Sequence, residues 1–236
     1  MTLPIAISVP HAGLLVPEEA VPYCQLTREQ IIKDSDEGAA EIYDLKDEVE
    51  EFITTHIARA IVDLNRPVDD RRSDGVVKTH TIWNEPIYHK PMPDDVISAL
   101  IAKYYTPYHM HLSEFPNRPV HFAVDCHTMA AEAPLLSPKP GTARPEACLG
   151  NVNGQSFPPA WTKTIYAALL KSFSGFRVTM NRPFSGGHIT KAHGQEMPWV
   201  QLELSRSRFL PHTELRSRIL QALQETCHEL ERLNLV

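Results

Sequence analysis

The chain has no apolar run approaching the roughly 18 residues that a membrane-spanning helix needs, so no membrane partner is expected. It has no Lys/Arg run, and its formal net charge of −6 argues against a general nucleic-acid binder. No basic segment followed by an apolar one opens it, so a secretory signal is not expected. Cysteine is sparse: Cys24, Cys126, Cys148 and Cys227 are widely spaced and form no C-x-x-C pair. Such thiols suit a reducing, cytoplasmic compartment better than a disulfide framework. Internal repeats, low-complexity tracts and linkers are also absent, so residues 1–236 are expected to form one domain. The compact zinc signature H-E-x-x-H is missing too, so metal ligands would have to come from separate segments.

What is there is an ordinary globular composition, 42% hydrophobic and 22% charged, in a chain of 236 residues. That length suffices for one well-buried core. Twelve histidines are more unusual, and only position can select among them. Residues 4–9 read as a strand. Thr27 with Gln30 makes a capping box for a short helix. Asp36–Leu45 reads as helical, and Glu51–Thr55 and Ala58–Leu64 as two strands. Residues 66–95 are proline-, charge- and turn-rich, the kind of long irregular segment that carries function. Asp94 or Asp95 can cap a helix running to about Glu114, with a kink near Lys103 and Tyr104. There the ring and the missing N–H of Pro107 disturb the ladder.

Val120–Asp125 reads as a buried strand, and residues 128–156 as a second long polar connection. Pro158 and Pro159 open a helix through about Phe173. Arg177–Met180 and Val200–Ser205 read as strands, the latter with Val200, Leu202 and Leu204 on one face and Gln201, Glu203 and Ser205 on the other. A last helix over His212–Leu233 carries the apolar stripe Leu215, Ile219, Leu223, Cys227 and Leu230. Strands alternating with helices imply α/β layers, with helices on both faces of a mostly parallel sheet.

Three apolar runs end in reactive residues. Ile5–Pro10 leads into His11, Phe122–Cys126 into His127, and Ile61–Leu64 into Asn65-Arg66-Pro67. Ligands of open α/β sheets gather at the carboxyl ends of strands, so these ends suggest one site for a metal and an anion. A catalytic zinc takes three protein ligands and keeps a fourth position for water. His11 and His127 are the histidine candidates. A carboxylate would come from Asp34-Ser35-Asp36-Glu37, where plain helix capping is the competing use. Arg66 offers a planar fork for a carboxylate. Glu203 is the candidate general base, although an outward-facing carboxylate on an edge strand fits the pattern as well. Arg182, after its own strand and before Gly186-Gly187, is a second anion candidate. The competing reading is a surface arginine on a glycine turn.

Taken in order, these segments resemble the N-formylglutamate amidohydrolase family, zinc enzymes distantly related in fold to zinc carboxypeptidases. The resemblance runs through Val9-Pro10-His11-Ala12-Gly13, Asp34-Ser35-Asp36 and Asp63-Leu64-Asn65-Arg66-Pro67. It continues through Pro107-Tyr108-His109, Asp125-Cys126-His127-Thr128, Gly186-Gly187-His188-Ile189-Thr190 and Gln201-Leu202-Glu203. It implies a three-layer α/β/α domain with a mostly parallel mixed sheet, one zinc per chain, and His11, Asp36 and His127 as its ligands. It implies Glu203 as general base and Asn65 and Arg66 as the clamp for a substrate carboxylate. Arg59 and Arg182 would polarise the scissile carbonyl or bind a second carboxylate. Position three after His11 is Leu14, so the acidic ligand cannot come from an H-x-x-E stretch. The implied activity is hydrolysis of an N-formyl or other N-acyl acidic amino acid. A carboxypeptidase or deacylase of other N-acyl amino acids, and a silent dicarboxylate-binding protein, are the alternatives.

Overall fold

The computed structural model describes residues 2–134, 137 and 139–236. Six strands form one mixed sheet in the order β2-β1-β3-β6-β4-β5. They are β1 Leu3–Val9, β2 Val49–Thr54, β3 Phe122–Met129, β4 Ala147–Gly150, β5 Val178–Met180 and β6 Trp199–Ser205. β2, β1, β3 and β6 are mutually parallel. β4 runs antiparallel to β6, and β5 follows β4 in parallel.

Alternating residues of the central strands feed two cores, one on each face of the sheet. Ile5, Ile7, Phe122, Val124, Val200 and Leu202 pack on one face with helices α5 (Pro159–Ser172) and α7 (His212–Arg232). The expected stripe of α7, from Leu215 to Leu230, is buried there. Ala6, Ala123 and Trp199 pack on the other face with Leu100, Tyr108 and Leu112. These last come from helices α3 (Asp94–Leu100) and α4 (Thr106–Leu112). Short helices α1 (Arg28–Asp34), α2 (Ala39–Ile42) and α6 (His188–His193) complete the layers. The result is the expected α/β/α arrangement with a mostly parallel mixed sheet.

Several local expectations are met. The capping box of α1 forms between Thr27 and Gln30. Pro107 is accommodated by a π-helical turn over Ile101–Tyr105 between α3 and α4. A wider turn is one way for a helix to absorb a proline that can neither donate nor pack against the preceding carbonyl.

Others are corrected. Ala58–Leu64 is a buried turn, not a strand: the amides of Ile61 and Val62 both donate to the Ala58 carbonyl. A continuous apolar run reports burial, and here a turn is what is buried. Helix Asp36–Leu45 shrinks to α2, because Gly38 adopts a left-handed conformation (φ +83°) just before it. The connection 128–156, apart from residues 135, 136 and 138 outside the described set, contains the unexpected strand β4. β3 continues through His127, which is therefore a strand residue.

Candidate active site

On the face carrying Ala6, Ala123 and Trp199, the same strands turn polar toward their carboxyl ends. Ser8, Asp125 and Gln201 form one row in register, and His127 pairs with Glu203 in the next. Apolar residues thus anchor the strands while the polar ones at their ends face a common space. β1 exits toward β2 on one side and β3 toward β4 on the other, so the crevice lies where the connections diverge. His11 follows β1 into that crevice, and its backbone carbonyl accepts from the amide of Asp36.

His11, Asp36 and His127 are all buried and offer ligand atoms that lie within 4.8 Å of one another. Each histidine is held from behind by a carboxylate. His11 Nε2 donates to Asp63 Oδ1 at 2.8 Å, and His127 Nε2 lies 3.0 Å from Asp125 Oδ2. Both Nδ1 atoms therefore face Asp36, at 3.5 Å from His11 and 2.9 Å from His127. His11 Nδ1 is buried and has no hydrogen-bond partner among the described residues. A buried imidazole nitrogen left open beside a carboxylate and a second imidazole, with a carboxylate fixing each ring, is the donor set of a metal site. The cluster can hold a metal ion. Asp34 is committed elsewhere, pairing with the fully buried Lys78 at 2.9 Å and accepting from the Ile82 amide at 2.7 Å.

The charges are strongly tuned. Burial alone would raise the Asp36 carboxyl, but the charges of His11 and His127 and the hydrogen bond from His127 hold it well below the ordinary range. Burial opposes charge on His127, yet Asp125 and Asp36 together push its pKa well above the usual value. Glu203 is 6% exposed on a strand that lies inside the sheet, between β3 and β4, so the edge-strand alternative is gone. Burial raises its carboxyl to about 7, against the pull of the His127 charge. Gln201 Nε2 donates to Glu203 Oε1 at 2.8 Å and so orients it.

A cavity of about 750 Å³ opens over this cluster. His11, Asp36, His127, Glu203, Arg59, Asn65 and Arg66 all line it. Arg59 bridges two carboxylates, with Nη1 3.2 Å from Asp36 Oδ1 and Nη2 3.0 Å from Asp63 Oδ2. Both terminal nitrogens are therefore engaged. Asn65 is turned inward: Oδ1 accepts from the Ile189 amide at 2.8 Å, and Nδ2 lies 3.4 Å from Asp125 Oδ2. Gly187 is needed there, since a Cβ on it would come within 2.3 Å of the Asn65 amide. Arg66 is more open and meets Asp74 at 3.5 Å. Its backbone is braced on both sides: Tyr105 donates to the Arg66 carbonyl at 2.9 Å, and His109 Nε2 to that of Leu64 at 2.8 Å.

Arg182 stands apart. It is exposed and does not line the cavity. The chain folds back just past β5: the Arg182 carbonyl accepts from Cys148 Sγ at 3.2 Å, next to the strand pair Cys148–Glu203, and Phe184 two residues on lines the cavity, while Arg182 itself is exposed. Sequence reasoning missed Asp63 and Asp125 as partners of the histidines, and Arg144 and Arg206 in the cavity wall. Asp125 had a signal, since it sits two residues before His127 and shares its strand face. Asp63 had none that is local.

A family model described as N-formylglutamate amidohydrolase matches residues 3–210. The N-formylglutamate deformylase of Pseudomonas aeruginosa is 28% identical over 225 residues, covering 88% of this chain and 82% of that protein. The N-formylglutamate deformylase of Pseudomonas putida is 27% identical, covering 90% of this chain and 84% of that protein. A crystal structure of an N-formylglutamate amidohydrolase from Ralstonia eutropha has the same fold. Its TM-score is 0.77 at 18% identity, over 99% of this chain and 94% of that one.

Proposed function

The chain belongs to the N-formylglutamate amidohydrolase family, and we propose that it is a zinc-dependent hydrolase releasing formate from an N-formyl acidic amino acid such as N-formylglutamate. One observation carries the reading: the buried His11–Asp36–His127 set, with an unpartnered imidazole nitrogen, opens on the same cavity as a buried Glu203. The 27–28% identity to two N-formylglutamate deformylases supports the substrate class.

A zinc ion held by His11, Asp36 and His127 would polarise the acyl oxygen and make water acidic enough to react near neutrality. Glu203 takes the proton of the attacking water and returns it to the leaving nitrogen. Burial favours its protonated form, which helps it keep the proton between the two transfers. Gln201 keeps the carboxylate aimed while it changes charge. Arg66 holds the α-carboxylate of the substrate, which supplies the positioning part of catalysis. Asn65 and Arg59 serve this reaction through other groups, Asn65 by packing the Gly187 loop onto Asp125 and Arg59 by fixing Asp36 and Asp63.

No helix among the described residues is long and apolar enough to cross a membrane, and we propose a cytoplasmic, small-molecule enzyme. The test is formate release from N-formylglutamate by purified protein, before and after chelation and after zinc is restored. Activity lost on chelation and recovered with zinc is expected. Full activity in chelator would remove the metal from the reading, and no formate under any condition would remove the substrate.

A further inference from the structure

An acidic N-formyl amino acid carries two carboxylates, and the expected holders of the second are not at hand. Arg182 lies outside the cavity, and Arg59 has both terminal nitrogens engaged by Asp36 and Asp63. The wall beside Glu203 nevertheless carries two further cations. Arg144 precedes β4, which runs antiparallel to β6, so it is delivered to the same end of the sheet where Arg206 leaves β6. The Arg144 guanidinium makes no hydrogen bond or ion pair among the described residues. Its Nε is buried without a partner, and its plane is set over the Phe184 ring at 4.9 Å. Among the described residues the Arg206 side chain is anchored by one nitrogen, donating to the Ser35 carbonyl at 2.9 Å.

We infer that Arg144, with Arg206 beside it, is the subsite for the side-chain carboxylate of the substrate. The assignment rests on the proposed reaction and adds the residues that select its acidic substrate. Two guanidinium groups near each other without a carboxylate partner repel, and an incoming anion relieves that repulsion. Burial presses hardest against the charged form of Arg144, the Glu203 charge offsets part of this, and the Arg206 charge adds to it; a bound anion would favour the charged form further. The aromatic face of Phe184 holds the planar fork in one orientation, so a carboxylate meets a preformed donor pair. A neutral side chain would leave these donors unpaired in a partly dry wall, which disfavours it by ~10-fold or more.

The experiment compares N-formyl-L-glutamate with its neutral isostere N-formyl-L-glutamine on the metal-loaded full chain, for wild type, R144M, R144K and R206M. Wild type should prefer the glutamate substrate by ~10-fold or more in kcat/KM. R144M should erase most of that preference through KM, changing the glutamine substrate less than about threefold. R144K should restore part of it, because charge returns without the fork. R206M should fall between wild type and R144M. Calorimetric binding of glutarate gives a second readout without turnover, and R144M should weaken it by ~10-fold. An equal loss on both substrates, or a wild type that does not distinguish them, overturns the assignment. If wild type releases no formate yet R144M still weakens glutarate, the anion subsite stands and the proposed reaction falls.

Discussion

Replacing Glu203 by Gln should make the metal-free protein more stable at pH 8 while nearly abolishing its activity. The wild-type carboxyl is buried, and burial lifts it from an ordinary 4.5 to about 7. A folded-state pKa above the unfolded one means that the native protein binds this proton more tightly than the unfolded chain does. The associated stability is intact below about 4.5 and is lost as pH rises through about 7. At about 1.4 kcal/mol for each tenfold in proton affinity, the cost at pH 8 approaches ~3 kcal/mol, and at pH 5 it is under ~1 kcal/mol. Gln keeps the shape, and its side-chain oxygen can still accept from Gln201, but it carries no charge to bury. Against a typical total of about 5–15 kcal/mol, a gain near 3 kcal/mol is readily measured. Urea unfolding of chelated wild type and E203Q at pH 5 and pH 8 is the assay. The two curves should nearly coincide at pH 5 and separate at pH 8, with E203Q the more stable. With metal restored, E203Q should keep its zinc and lose at least ~10²-fold in turnover. A bound cation lowers the carboxyl, so the acid limb of the wild-type kcat/KM profile should lie at or below about pH 7. Equal stability differences at both pH values, or a less stable E203Q at pH 8, would refute the reasoning that Glu203 is held at a cost to the fold.

Three further outcomes are expected. H11A and H127A should each bring metal content far below one ion per chain while the far-UV spectrum stays native, and full occupancy in both would remove the assignment of ligands. D125N removes the carboxylate that orients His127 from 3.0 Å and should weaken metal affinity by ~10–100-fold, read by competition with a chelating dye, whereas unchanged affinity would make Asp125 purely structural. R66K keeps the charge and loses the fork, so kcat/KM should fall on substrates with a free α-carboxylate and barely change on an amide-capped analogue, and an equal loss on both would give Arg66 a structural role.

The face alternation of β6 was legible because polar residues interrupt an apolar strand at every second position only where something needs them. That pattern drew attention to Glu203, whereas His127 stood out as the residue that follows an apolar run. Their partners were not legible in the same way. Asp63 reaches His11 from a turn whose apolar run, Ile61-Val62 then Leu64, reads like a strand, and no local period distinguishes the two when both are buried. The place of Arg144 in the cavity wall has its physical origin in β4. Ala147-Cys148-Leu149-Gly150 is four residues of small and medium side chains between turn-rich segments, too short to register as a strand. Once it inserts antiparallel against β6, the order of ends reverses for everything downstream until the chain returns to β6. Arg144, half-buried in what reads as a loop, is carried into the cavity wall, whereas Arg182 folds back beside Cys148 and stays exposed. Which end of the sheet an arginine reaches depends on strand direction, which local pattern does not encode.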